Sequence, residues 1–317
     1  MKFTLNTLMV VVLAVSLNSC RSRDHRMSKL KDELSESIVN PGRLGGAMVF
    51  GEVNLTGNRN VGGGLPRLVG GRSHTKTDLY LSREQFVLSY DGDARIPVWA
   101  AWQVVKSDLG DVLRQPAFRS DHILNAYLEE KERADGLSPD DYRNTCFDRG
   151  HQSPAADRSN SVEDNEATFL MSNMAPQTGF LNRGMWKNLE DFSRELVETH
   201  KYKLQIFAGG ILEDGREGIG PNKDIQVPTS FYKVIAIYED RDDKAPISYI
   251  AVIMPNVTAG GLDPLANNDK LCKEQNGSFG FSIRSDWQFY VKNLKQIEDE
   301  AGVQFPMLQG IKPFKVD

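Results

Sequence analysis

The pattern of apolar and polar positions divides the chain into three parts. An apolar run from Leu8 to Leu17, LMVVVLAVSL, follows Lys2 and ends in Asn-Ser-Cys. A run of that length is too short to cross a bilayer core of about 30 Å as a helix, and with its basic and polar flanks it reads as an export signal over residues 1–20. Residues 21–72 are polar and then Gly-rich, with stretches such as GRLGGAMVFGE and TGNRNVGGGLPRLVGG. Lacking apolar periodicity, they read as a tether with one short helix expected around MSKLKDELSESIV. The third part, 73–317, carries the elements of a folded domain.

Strands are expected in TDLYLSREQFVLSYDGDARIPVWAAWQVV, where Leu79, Leu81, Phe86, Leu88 and Tyr90 precede a turn at Asp-Gly-Asp. More are expected at Thr168 to Met171, KLQIFAGGIL, SFYKVIAIY and ISYIAVIMP. A short helix is expected at SPDDYR, with Ser138 as N-cap and Pro139 at the first helical position. A longer one is expected from Asn182 to His200, and another in YVKNLKQIEDEAG, ending at Gly302. Strands and helices mix without regular βαβ alternation, which favours an α+β fold over a doubly wound sheet.

With 317 residues, 40% of them hydrophobic and 9% aromatic, the chain can bury a full core. A formal charge of −5 argues against coating nucleic acid or anionic lipid by bulk electrostatics, so any polyanion site must be local. There are three cysteines. Leu-Asn-Ser-Cys, ending at Cys20, resembles the lipobox of bacterial lipoproteins, although Asn18 is unusual there; an ordinary cleaved signal is the alternative. Either route leads out of the cytoplasm to the periplasm or cell envelope, where disulfides persist. Cys146 and Cys272 then remain as one disulfide or as two thiols, with Cys146 expected in a buried strand.

Residues 144–197 form one unit: a short strand ending in Asp-Arg-Gly-His, a polar loop, a second strand, and a helix containing NRGMWKNLEDFSRELV. DRGHQSPAAD followed by SNMAPQTGFLNRGMWKNLE resembles the DNA/RNA non-specific endonuclease family. Flanking stretches YLSREQFVLSYDGDARIPVWAAWQ and IQVPTSFYKV extend the resemblance from about Asp78 to the C-terminus. It implies a mixed, largely antiparallel sheet flanked by helices, built around a ββα-metal finger. It also implies Mg²⁺-dependent hydrolysis of DNA and RNA, with Mn²⁺ or another divalent cation as the alternative.

Phosphodiester hydrolysis needs a nucleophile in line, charge relief on the phosphoryl oxygens and help for the leaving oxygen. Neutral His takes a proton from water near pH 7 with little tuning, and the resemblance gives that role to His151. Mg²⁺ keeps several waters and accepts few protein ligands; the resemblance gives direct ligation to Asn182, expected at a helix start where free N–H groups favour anions. Glu190 lies eight residues further on, about 12 Å along a helix, so it is expected to reach the ion through water. Arg194, four residues beyond Glu190, is expected to belong to the catalytic site with it; a surface i,i+4 pair of the two is the other reading. Arg149 shares a strand face with His151 and is expected to contact phosphate. An upstream arginine is expected in LRQPAFRSD, Arg114 first and Arg119 as the alternative, while Asn173 is expected to support the site.

From Asp140 to Glu198 there are six Lys and Arg against eleven Asp and Glu, so attraction of a polyanion rests on a few placed arginines and the metal. His25, His74, His122 and His200 lack zinc-site spacing, and Cys146 and Asp148 read as structural. A surface lipoprotein that binds nucleic acid or a partner without cutting, and a phosphodiesterase acting on smaller substrates, are the competing functions. The first differs by showing no turnover, the second by the shape of its cleft.

Overall fold

The structure, a computed structural model, describes residues 47–50, 57–68, 79–115, 117–130, 136–239, 245–275 and 286–315. The export signal with Cys20, and the helix expected near residue 30, lie outside the described residues. One compact unit spans Met48–Asp317.

In chain order the strands are β1 (Ala47–Phe50), β2 (Arg67–Leu68), β3 (Leu79–Ser82), β4 (Val87–Asp91), β5 (Ile96–Val104), β6 (Asp148–His151), β7 (Met174–Gln177), β8 (Tyr202–Ile211), β9 (Gly218–Ile219), β10 (Ile225–Gln226), β11 (Ser230–Glu239), β12 (Ser248–Pro255) and β13 (Val303–Gln304). The described α-helices are α1 (His122–Glu130), α2 (Val162–Ala167), α3 (Lys187–Glu198), α4 (Asn268–Gln275) and α5 (Leu294–Ala301). Seven strands form one sheet in the order β1-β3-β4-β5-β8-β11-β12. From β3 to β12 every pairing is antiparallel, as an α+β fold with a largely antiparallel sheet requires.

Both sheet faces are covered, which is why the central strands read as nearly continuous apolar runs. Along β11, Phe231, Ile235 and Ile237 pack with Leu189, Leu196 and Val197 of α3. Their neighbours Tyr232, Val234, Ala236 and Tyr238 pack on the other face with Ile297 and Ala301 of α5, as a side-chain period of two demands. Full burial of such a side chain contributes roughly 1.5–3 kcal/mol. Lys233 breaks the pattern, standing between Phe231 and Ile235 at 1% exposure.

Several local expectations hold. Ser138 caps a short 3₁₀ helix, Pro139–Tyr142. Asn293 caps α5, and Gly302 ends it in the left-handed region at φ 65°, where glycine carries no Cβ penalty.

Three expectations are corrected. Residues 57–68 are not a tether: Asn60 is fully buried and donates to the carbonyls of Arg83 and Glu84, while its side-chain oxygen accepts from the Gln103 N–H. β2 also pairs with β13. This segment docks through the polar Asn60 and through Val61, Leu65 and Leu68, too few and too irregularly spaced among glycines to register as apolar periodicity. The strand expected at Thr168 to Met171 is a turn, closed by Thr168 Oγ1 donating to the Asn165 carbonyl; the strand itself is β7, three residues beyond Met171. The helix expected from Asn182 begins as a π-helical turn, Leu181–Trp186, broken at Gly184 (φ −107°, ψ −110°), and becomes α-helical only at Lys187.

Candidate active site

β6 and β7 form an antiparallel hairpin in which Arg149 faces Pro176 and His151 faces Met174. Gly150 leaves room for Gln177: a Cβ on it would fall 2.5 Å from Gln177 Cγ, and that fully buried side chain would have to move. The lead-in is a turn and not the expected buried strand: Asn144 and Cys146 both lie in the left-handed region. Cys146 is bonded to Cys272 of α4, with Cα atoms 5.0 Å apart. Of the two readings of these cysteines, the disulfide is the one present.

A cleft of about 580 Å³ gathers Arg114, Arg149, His151, Asn182, Glu190 and Arg194. Asp148, Arg183, Lys187, Gln275 and Phe118 line it too. Arg119 does not, pairing instead with Glu166 at 3.0 Å on the surface, so of the two it is Arg114 that lines the cleft. The acidic balance of the motif segment is not the balance of the cleft. Five of the lining residues are Arg or Lys, against Asp148 and Glu190.

His151 is 7% exposed. The rings of Phe169 and Phe118 lie 4.9 and 5.6 Å from its own. Each phenyl ring also carries a guanidinium, Arg114 over Phe169 at 4.7 Å and Arg149 over Phe118 at 4.8 Å. Arg149 additionally donates from Nε and Nη2 to the Pro139 carbonyl. Burial first, and the Arg114 charge second, push the imidazole down to about 3. It is therefore neutral near pH 7, and its Nε2 has no hydrogen-bond partner among the described residues. Asn173 lies beneath, donating to the carbonyls of Ser153 and Thr168 and accepting from the Ser153 N–H. It pins the chain just past His151. Phe118 and Phe169 were not anticipated, although each stands inside a stretch quoted above.

Asn182 sits inside the π-helical turn with its N–H bonded to the Thr178 carbonyl, so it is not an N-cap with free donors. Its fixed orientation comes from elsewhere. Asn182 Nδ2 donates to Asp148 Oδ2 at 2.8 Å, which leaves Oδ1 as the amide atom available to the cleft. Arg183 and Gln275 also donate to Asp148, and these bonds hold its carboxyl below the usual range despite burial. Asp148 thus belongs to the site.

Glu190 and Arg194 are not a surface pair. Glu190 accepts from Lys233 Nζ at 3.2 Å, while Arg194 donates to Asp157 at 2.8 Å and also to Asp191. Asp157 in turn accepts from Trp102 Nε1. The Lys233 ammonium lies 4.0 Å from the centre of the Trp186 ring. Burial pushes Glu190 up and Lys233 down, and their mutual attraction opposes both shifts. A lysine inside an otherwise apolar strand was the signal for this partner, since lysine is almost never fully buried unless paired.

Residues 70–309 match the family model described as DNA/RNA non-specific endonuclease. The chain belongs to that family. A nuclease of Nostoc sp. is 34% identical to it over 244 residues, 75% of this chain and 76% of that protein. Human mitochondrial endonuclease G is 34% identical over 196 residues, 58% of this chain and 62% of that protein. A chain from the crystal structure of the EndoG/EndoGI complex aligns with a TM-score of 0.55 and 25% identity, covering 78% of this chain and 90% of that one. The nuclease fold therefore comes with its motif residues in one cleft.

Proposed function

We propose that the protein is an exported, Mg²⁺-dependent nuclease that hydrolyses phosphodiester bonds of DNA and RNA with little sequence preference, and that His151 is its general base. The observation that carries this is the place of His151: neutral, nearly enclosed, and lining a cleft that also holds Arg114, Arg149 and Asn182. A neutral imidazole is the form that accepts a proton from an attacking water, and a phosphate anion in the cleft would strengthen its hold on that proton against the effect of burial. Arg114 and Arg149, fixed on their phenyl rings, receive the phosphate and stabilise the charge that builds on it.

The donor set suits a hydrated hard cation. Among the described residues no group of three or more His, Cys, Asp and Glu is arranged to hold a metal, whereas one oriented amide oxygen with a carboxylate nearby matches an ion that keeps its own waters. When bound, a divalent cation would be held directly by Asn182 Oδ1, with Glu190 at one water's remove, and would supply charge relief to the phosphoryl and leaving oxygens. Lys233 keeps Glu190 paired, and Arg194 with Asp157 braces the helix that carries it. Export to the periplasm or envelope, with Cys20 as a lipid anchor, rests on the N-terminal sequence and is supported by the Cys146–Cys272 bond.

Protein lacking residues 1–20 should nick plasmid DNA and cut RNA in Mg²⁺ and stop in chelator. His151→Ala should lower cleavage by at least about 10²-fold with an unchanged circular dichroism spectrum. Full activity in that variant would remove His151 as the base. Binding of nucleic acid without turnover by the parent protein would replace the nuclease with a binding protein.

A further inference from the structure

Ligation by Asn182 requires its amide oxygen, not its nitrogen, to face the cleft. Asp148 decides this, since only Nδ2 can donate to a carboxylate. One of the donors that orient Asp148 comes in turn from α4, an element outside both family motifs.

We propose that Gln275, the last residue of α4, is a positioning residue for Asn182 acting through Asp148, and that the Cys146–Cys272 disulfide keeps it in register; this rests on Asn182 being the metal ligand. Four donors reach the Asp148 carboxylate: Asn182 Nδ2 and Arg183 Nε on Oδ2, Arg183 Nη2 and Gln275 Nε2 on Oδ1. Gln275 is the donor among them that comes from outside the π-helical turn. Its amide is used from both ends. Nε2 donates to Asp148 Oδ1 at 3.0 Å and to the Cys146 carbonyl at 2.7 Å, while Oε1 accepts from Arg183 Nη2. It thereby closes a ring with the Arg183–Asp148 pair. Arg183, with 49% of its side chain exposed, would otherwise exchange Asp148 for water and let the carboxylate turn.

α4 has little packing of its own to hold Gln275 there. Leu271 is its one fully buried residue. Its polar attachments include Asn268 Nδ2, which donates to the Thr145 carbonyl, and the Glu274 carboxylate, which accepts from the Ala259 N–H. The covalent tie is Cys272 to Cys146, and Cys146 stands two residues before Asp148. The disulfide thus joins the helix bearing Gln275 to the strand bearing Asp148. Partners that orient a metal-holding group commonly change metal affinity about 10–100-fold when removed.

The test is calorimetric titration of Mg²⁺ into the disulfide-bonded full chain without substrate, beside the Mg²⁺ dependence of plasmid cleavage. Gln275→Ala and Gln275→Glu should each weaken Mg²⁺ binding about 10–100-fold and raise the Mg²⁺ needed for half-maximal cleavage by the same factor, with the rate at saturating Mg²⁺ changing little. Gln275→Glu keeps the length of the side chain and an acceptor for Arg183 but removes the donor to Asp148, so it decides the matter if the alanine variant does not fold. Two-electron reduction by dithiothreitol, giving two thiols and the oxidised reagent, should weaken Mg²⁺ binding in the parent protein and add little in Gln275→Ala, because both act through Asp148. Unchanged Mg²⁺ binding in folded Gln275 variants, with Asn182→Ala binding weakly, would overturn the role of Gln275. Unchanged binding in Asn182→Ala would instead overturn the metal site itself.

Discussion

Two groups of charges hold the cleft, and they are held by opposite means. On the outer side, Asp148 is surrounded by Asn182, Arg183 and Gln275, and half of the Arg183 side chain meets solvent. On the inner side, Glu190 meets Lys233 at 1% exposure against Trp186, beside the fully enclosed Asp157. The outer group is a hydrogen-bond arrangement that can be rearranged while the core stays closed. The inner group is part of the core, so the carboxylate proposed to serve chemistry also serves folding.

Lys233→Met should separate the two most strongly. It leaves Glu190 buried without its partner, which should cost about 3–5 kcal/mol, read as a drop in the urea midpoint; adding Glu190→Gln should restore most of it. Asp148→Asn should cost about 1–3 kcal/mol and show itself mainly in weaker Mg²⁺ binding. A larger stability loss from Asp148→Asn than from Lys233→Met would break the contrast.

The inner side also contains a pH dependence. The folded pKa of His151, about 3, lies below its ordinary value of about 6.5. Between those values the unfolded chain binds a proton that the folded one does not, so stability rises with pH across that window. The contribution is complete above about pH 6.5 and is lost as pH falls toward 3. NMR of the His151 ring should show the neutral form throughout from pH 8 to pH 5, and His151→Phe should flatten the decline of the urea midpoint in that range. A ring titrating near 6.5 would show that the site is wetter than its burial indicates.

A weaker effect tests which arginine belongs to the cleft. Arg114→Ala should slow cleavage by about 10²-fold. The smallest effect belongs to Arg119→Ala, which should change stability by no more than about 1 kcal/mol and leave cleavage unchanged. Equal loss from both would return Arg119 to the site.

How much of this could be read beforehand follows the reach of each interaction. His151, Arg149, Asn182 and Glu190 lie on a hairpin and the helix after it, so local pairing brings them together and the motif names them. Ser138 and Gly302 announce the ends of their helices by themselves. Lys233 and Trp102 act on Glu190 and Asp157 from other strands of the sheet, and no local pattern connects them. The sequence places a helix start at Asn182, while the chain forms a π-helical turn over Leu181–Trp186 with non-helical backbone at Gly184. Asp148 was set aside as structural because its work depends on Gln275 and Arg183, which the turn and α4 deliver from outside the strand.

The docking of residues 57–68 shifts where the protein can be cut. The family match starts at residue 70, yet Asn60 Oδ1 accepts from Arg158, a guanidinium with no exposure whose other acceptors are the carbonyls of Gln85, Gln103 and Asp157. A protease that removed Asn60 would strip an acceptor from a buried cation and uncover the Gln103 N–H in β5, the strand that pairs with β8. N-terminal trimming of the protein therefore has a boundary: cleavage between β1 and residue 57 removes an edge strand and spares this segment, while cleavage beyond Asn60 opens the core.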